Sequence, residues 1–205
     1  STNTNITGAS ASSTAGISTI SQTLTNTSNT AQTITYTVTP TSGDTGNCVG
    51  SNFTITVVVN PKPAVLATTP TICSGTAFTV TPANGSGNIV PSGTTYTWTT
   101  PISDPVGAIT GGTAQVIGVG TINQTLTNTT TAPATLEYTV TPTSGTCAGT
   151  PFTITVTVNP TPTTLGLTNQ TYCNAVPTTE IVLTNGVSGT TYAWTNSNTA
   201  IGLAA

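Results

Sequence analysis

The sequence predicts an all-β chain of tandem repeats, each of about 100 residues. Internal repetition is the first observation behind this prediction. Residues 20–43 and 122–145 are identical at 16 of 24 positions, with an offset of 102. Residues 53–61 recur as 152–160, with an offset of 99. The second observation is alternation, because apolar residues and threonine exchange places at every step, which is the period of a strand with one buried face.

Two proline-rich joints divide the chain. They read Asn60-Pro61-Lys62-Pro63 and Asn159-Pro160-Thr161-Pro162. Proline fixes φ and has no N–H for a ladder, so each joint ends a strand and stiffens the connection. The sequence therefore predicts one complete repeat, at 64–159. Residues 1–60 would be the C-terminal part of a preceding repeat and 163–205 the N-terminal part of a following one, within a longer parent protein.

The strands follow from the alternation. In 134–141, Leu136, Tyr138 and Val140 share one face, and the residues between them share the other. The same reasoning gives a set of expected strands at 76–81, 95–99, 121–127, 134–141 and 152–158, with weaker candidates at 64–68 and 106–110. Clusters of Gly, Pro, Asn and Ser separate these runs.

About seven short strands in about 100 residues are typical of an immunoglobulin-like β-sandwich. An inward Trp on a middle strand and an inward Tyr on the penultimate strand favour the same fold. The sequence predicts a structural core that contains Trp98, Tyr96, Tyr138 and Phe152, with Trp194 and Tyr36 as their counterparts in the flanking repeats. Core packing is the expected role of all six aromatic residues.

Charge is almost absent from the chain. Only Lys62, Asp44, Asp104, Glu137 and Glu180 are charged, which is 2% of residues against a usual share of about 25%. Without a basic patch, nucleic acid is not an expected partner. No run of about 20 apolar residues is present, so direct membrane insertion is not expected either.

The sequence also lacks the residues on which catalysis usually depends. The sequence contains no histidine, and its four carboxylates are scattered and do not recur between repeats. Activated nucleophiles, carboxylate pairs and calcium or zinc ligand sets all need more than this. We therefore expect a protein that is not an enzyme and has no cofactor. Seven Asn-x-Ser/Thr sequons, among them Asn128, reflect the threonine-rich composition.

The four cysteines are Cys48, Cys73, Cys147 and Cys173. Stoichiometry favours a disulfide between Cys73 and Cys147 inside the complete repeat. The pair would share a pole if 76–81 is in effect the first strand, and would lie at opposite poles if 64–68 is a full strand. Reduced cysteines are the alternative.

Several segments resemble PKD-like repeats of giant surface proteins from Bacteroidota. They are 72–76 (ICSGT), 96–98 (YTW), 124–128 (QTLTN), 138–142 (YTVTP) and 156–160 (VTVNP). The resemblance implies very long adhesins at the bacterial cell surface, attached to the outer membrane and exported by type IX secretion. The SprB-like gliding adhesin is the best-known type. Implied partners are neighbouring repeats, the secretion and gliding machinery, and external surfaces or polysaccharide.

The function expected from these observations is a non-enzymatic structural stalk in such an adhesin, serving surface attachment and gliding motility. The alternative comes from another class of protein. Outward threonine rows such as Thr153, Thr155 and Thr157 could form a flat face that binds ice or glycan.

Overall fold

The computed structural model describes residues 3–12, 17–43, 46–163 and 166–197. These residues form fourteen β-strands and no helix. The strands are β1 (Ile6–Thr7), β2 (Thr25–Asn26), β3 (Gln32–Val38), β4 (Phe53–Val59), β5 (Thr71–Cys73), β6 (Thr76–Val80), β7 (Thr95–Trp98), β8 (Ile102–Asp104), β9 (Ile109–Thr110), β10 (Gln115–Val119), β11 (Ile122–Asn128), β12 (Ala134–Ser144), β13 (Cys147–Ala148) and β14 (Phe152–Asn159).

Strands β5 to β14 make two facing sheets. The larger sheet has the order β10-β7-β12-β14-β5, and β12 also pairs with β8 and with β13. The smaller sheet has the order β6-β11-β9. All pairs are antiparallel except β14 with β5, which is parallel. The prediction of an immunoglobulin-like β-sandwich is confirmed.

A single apolar core lies between the two sheets. Its aromatic centre is Tyr138, whose ring lies 5.2 Å from that of Phe78 and 6.1 Å from that of Trp98. The buried apolar residues are Phe78, Tyr96, Trp98, Ala108, Ile109, Ile122, Leu126, Ala134, Leu136, Tyr138, Val140, Phe152, Ile154, Val156 and Val158. Every one of them comes from 78–158, so this repeat closes its core with its own side chains.

The strongly alternating segments are strands in the structure, close to the expected ranges. They are β6, β7, β11, β12 and β14. The weaker candidates are shorter than expected. Residues 64–68 make only isolated bridges, Ala64 with Ile89 and Thr68 with Ile154. Regular pairing starts at β5, because Pro63 and Pro70 remove ladder donors on either side of this segment.

The parallel pairing of β5 with β14 fixes the direction of the chain through the repeat. Near its start the carbonyl of Pro63 lies against Gly149, in the turn after β13. We call this end the N-terminal pole. Asn159, at the end of β14, is level with Cys73. We call that end the C-terminal pole, so the chain enters at one pole and leaves at the other.

The preceding segment repeats part of this architecture. The hairpin of β3 and β4 pairs Tyr36 with Ile55, as β12 and β14 pair Tyr138 with Ile154. Tyr36 is only half-buried. In the complete repeat β7 pairs with β12 and its Trp98 packs on Tyr138, and the described residues before β3 hold no counterpart of β7.

The prediction that Trp194 lies in a core is wrong for this structure, since its side chain is 82% exposed. The physical reason is that no strand of the described residues packs over this side chain. Trp98 is packed by Tyr138, which lies 40 residues further along the chain. The described residues of 166–197 form turns but no strand.

Candidate functional site

Two of the predicted core aromatic residues, Trp98 and Tyr138, are tied together by one polar network. Trp98 Nε1 donates to the carbonyl oxygen of Thr113 at 2.8 Å. Gln124 Nε2 donates to the same oxygen at 2.9 Å, and its Oε1 accepts from the Thr113 N–H at 3.0 Å. The Tyr138 hydroxyl donates to Gln124 Oε1 at 2.8 Å. The network thus links both sheets to the loop that carries Thr113.

The same network recurs in the preceding segment. The Tyr36 hydroxyl donates to Gln22 Oε1 at 2.7 Å, and Gln22 Nε2 donates to the Ser10 carbonyl at 2.7 Å. Ser10 therefore corresponds to Thr113. Residues 6–10 (ITGAS) match 109–113 (ITGGT), a recurrence that extends the repeat beyond the segments aligned from sequence.

A second recurring feature is a buried asparagine that the sequence analysis recorded only as a sequon. Asn128 Nδ2 donates to the carbonyls of Ala132 and Val158, at 2.8 and 2.7 Å. Its Oδ1 accepts from the N–H and the hydroxyl of Thr130. Asn26 makes the equivalent four contacts. These amides brace the loop between two strands and are engaged on both atoms, so they are not open to glycosylation.

Tyr96 and Tyr138 occupy similar apolar surroundings but differ at the hydroxyl. Burial raises the pKa of both phenols above the ordinary value of 10.0, more strongly for Tyr138. The Tyr138 hydroxyl has its bond to Gln124, whereas that of Tyr96 is buried without a hydrogen-bond partner among the described residues. Both groups serve packing, as expected for core aromatic residues.

The structure does not bring the predicted disulfide pair together. Cys73 is level with Asn159 at one end of β14, while Cys147 pairs with Ser144 beyond the other end, at Phe152. The seven residue steps of β14 alone span about 23 Å, against a Cα separation limit of about 7 Å for a disulfide. All four cysteines are free. A Cys73–Cys147 bond inside one repeat is therefore excluded by register, because β5 runs parallel to β14.

The outer face of the larger sheet carries the threonine rows. Thr153 and Thr139 are directly opposed across β14 and β12, and so are Thr157 and Thr135. The pairs Thr141–Thr97 and Thr143–Thr95 continue the array onto β7. Cross-strand partners point to the same side of a sheet, so rows that looked scattered in the sequence form one face. Glu137 interrupts it, opposite Thr155.

Each pole contacts a proline joint. A side chain at Gly149 would collide with the Pro63 carbonyl and approach the ring of Pro142 to 2.8 Å, so this glycine lets the hairpin close on the joint. At the other pole, the Thr161 hydroxyl donates to the Ser74 carbonyl at 3.2 Å. A shallow concavity beside the second joint is lined by Thr131, Pro133, Pro160 and Val187, together with three further residues.

A turn in the following segment, at 187–190, repeats one in the complete repeat. Thr190 Oγ1 donates to the Val187 carbonyl at 2.8 Å, as Thr94 Oγ1 donates to Pro91 at 2.7 Å. Gly186, next to this turn, lies against Thr131. The described residues thus contain the same threonine-to-carbonyl turn before and after the second proline joint.

Groups for metal chemistry do not assemble in the described ranges. No cluster of three or more His, Cys, Asp or Glu side chains occurs there. Asp44 lies outside the described residues. Neither the concavity beside the second joint nor the one beside Val65 and Val80 has a titratable side chain in its lining. Nor do the described residues include a helix that could cross a membrane.

Comparison with known proteins agrees with the repeat geometry. The PKD-like domain family matches residues 1–63 and 70–162. The chain belongs to this family. The two matches correspond to successive PKD-like repeats that meet near the first proline joint. PKD-like domains are β-sandwich modules of an extracellular type and are generally non-catalytic. No curated protein matches the chain.

Proposed function

We propose that these PKD-like repeats are non-enzymatic stalk segments of a very long bacterial cell-surface adhesin. The single observation that carries the proposal is the separation of the two poles. The chain enters beside Pro63 at one end of β14 and leaves after Asn159 at the other. Repeats joined in this way continue head to tail, and each adds at least the roughly 23 Å length of β14.

The joints support an extended array. Pro61 and Pro63 are buried at the first joint, with Pro63 among the fully buried residues. At the second joint the linker is held by the Thr161–Ser74 hydrogen bond. Proline linkers are semi-rigid spacers, and packing against a pole limits them further. Such a stalk would hold a binding tip away from the cell.

The wider biological setting follows from the resemblance to Bacteroidota adhesins. We infer an extracellular location at the outer membrane, export by type IX secretion, and a role in surface attachment and gliding. Partners would be neighbouring repeats, the secretion and gliding machinery, and external surfaces or polysaccharide. The absence of histidine and the scattering of four carboxylates support a mechanical rather than a catalytic role.

Small-angle X-ray scattering of multi-repeat proteins tests the stalk. Proteins with two, three and four copies of residues 64–162 are expected to grow in maximum dimension by a constant step per repeat. That step should be at least about 23 Å, the length of β14. A radius of gyration that follows the scaling of a compact globule would contradict the proposal. Rotary-shadowed images of the four-copy protein provide an independent measure of its contour.

A second candidate function is favoured by the threonine face. Aligned threonines on β7, β12 and β14 form a surface that also carries Glu137 and, on the adjoining β8, Asp104 opposite Thr135. Such a face could bind ice or glycan. Ice-recrystallisation and glycan-array assays test it, with a triple variant, Thr153→Lys, Thr155→Lys and Thr157→Lys, as the matched control. Binding by the parent that the variant loses would support this candidate, and no binding by the parent would reject it.

A further inference from the structure

The cysteines occupy two recurring positions at opposite poles. Cys73 and Cys173 match each other in the repeat, and Cys48 and Cys147 form the second matching pair. In the complete repeat Cys73 is exposed at the C-terminal pole, level with Asn159. Cys147 is half-buried at the N-terminal pole, in the hairpin that touches Pro63. In a head-to-tail array these two poles face each other across every joint.

Contacts at the two joints place both cysteine positions beside the linker. Ser74, the neighbour of Cys73, accepts a hydrogen bond from Thr161 in the linker. Pro162 follows directly and corresponds to Pro63 of the first joint. Pro63 in turn contacts Gly149, which is two residues from Cys147. The Cys73 position of one repeat and the Cys147 position of the next repeat therefore lie on either side of the same short linker.

We propose that a disulfide crosses each joint, linking the Cys73 position of one repeat to the Cys147 position of the following repeat. This inference rests on the proposed stalk function, since it needs repeats stacked pole to pole. Cys73 and Cys147 would therefore each bond to a neighbouring repeat and not to each other.

The chemistry balances with a disulfide oxidant. The two thiols lose two protons and two electrons as the sulfur–sulfur bond forms, and the oxidant's disulfide is reduced to two thiols. An exposed cysteine such as Cys73 is accessible to an incoming oxidant. The product is a covalent bridge beside the proline linker, which prevents hinge opening at the joint when the stalk is pulled.

A two-repeat protein tests the bridge directly. It consists of residues 64–162 followed by a second copy of 64–162, which is justified because the repeat closes its own core. The facing-pair variant carries Cys147→Ser in the first copy and Cys73→Ser in the second. After treatment with oxidised glutathione and removal of excess reagent, we expect its intact mass to fall by two hydrogen atoms, with no glutathione attached and the protein still monomeric on a non-reducing gel.

Two matched variants place the same number of thiols elsewhere. The distal-pair variant carries Cys73→Ser in the first copy and Cys147→Ser in the second. The same-repeat variant keeps Cys73 and Cys147 of the first copy only. Neither is expected to form an intramolecular bond, since a β14 length of about 23 Å or more separates the sulfur atoms. Bond formation in either variant at the rate of the facing pair would overturn the proposal.

The stalk and the bridge can fail separately. Scattering from a cysteine-free two-repeat protein, with all four positions changed to serine, reports the shape without any bond. A compact shape there would refute the stalk and with it the bridge. An extended shape together with free thiols in the oxidised facing pair would refute the bridge alone.

Discussion

At the residue scale, the two repeats with described hairpins share a few polar side chains that hold the sandwich together from inside. Gln124 joins Tyr138 to Thr113, and Asn128 joins the turn after β11 to the end of β14. The same bonds recur at Gln22 and Asn26. Each side chain also bonds to backbone groups of the turns next to the strands, at Thr113, Ala132 and Thr30.

Loss of the hydroxyl is expected to change the free energy of unfolding differently at Tyr138 and at Tyr96. Tyr138→Phe removes a bond to Gln124 and should lower the free energy of unfolding by about 1 kcal/mol. Tyr96→Phe removes a buried hydroxyl with no partner among the described residues, so stability should stay constant or rise by up to about 1 kcal/mol. Urea unfolding of the two variants measures the difference, and equal losses would contradict this assignment.

Substitution of Asn128 is expected to lower the free energy of unfolding more than either tyrosine substitution does. Asn128→Ala removes the buried amide's bonds to the carbonyls of Val158 and Ala132 and the two bonds that it accepts from Thr130. The expected loss is about 2–3 kcal/mol, because several buried hydrogen bonds of about 1 kcal/mol each disappear together. Asn123→Ala, on the exposed face of the same strand, is the control and should change stability by less than about 0.5 kcal/mol.

At the element scale, the short strand β9 depends on the glycine that follows it. Gly111 has φ +93°, and a side chain there would collide with the carbonyl of Thr125 on β11. Gly8 has the same conformation and the same relation to Thr23. The glycine thus permits a close backbone approach that lets β9 pair with β11 before the chain turns toward Thr113.

Gly111→Ala should therefore destabilise the repeat by more than 1 kcal/mol, from positive-φ strain together with a steric clash. Gly120 is the matched control, since nothing lies within 4 Å of an added Cβ there and its φ is not positive. Gly120→Ala should leave stability within about 0.5 kcal/mol of the parent. Thermal unfolding followed by circular dichroism compares the two, and similar melting temperatures would contradict the role of Gly111.

The elements that sequence predicts well are those whose burial is strictly alternate. β12 and β14 show this pattern, and their alternation identified the core face. β10 was missed because it is an edge strand with Val116 and Ile117 both exposed and an irregular register. The disulfide was misplaced for a different reason. Its geometry depends on whether the first strand runs parallel to β14, which local pattern does not determine.

At the scale of the whole molecule, the near absence of charge makes the interior tyrosines the main source of pH dependence. The sequence has no histidine and a single lysine. Burial raises the pKa of Tyr138 and Tyr96 above 10.0. Because the unfolded chain releases these protons at a lower pH than the folded protein, ionisation above pH 10 favours unfolding.

Stability should therefore be constant between about pH 6 and 9 in a variant with all four cysteines changed to serine, and should fall as pH rises above about 10. Each buried phenol contributes up to about 1.4 kcal/mol per pH unit. Tyr138→Phe in the same background loses one phenol, so its slope should be shallower by that amount. Urea unfolding at fixed pH steps from 6 to 12 measures both slopes. Identical slopes would mean that Tyr138 ionises in the folded repeat as readily as in the unfolded chain, contrary to its burial beneath Trp98 and Phe78.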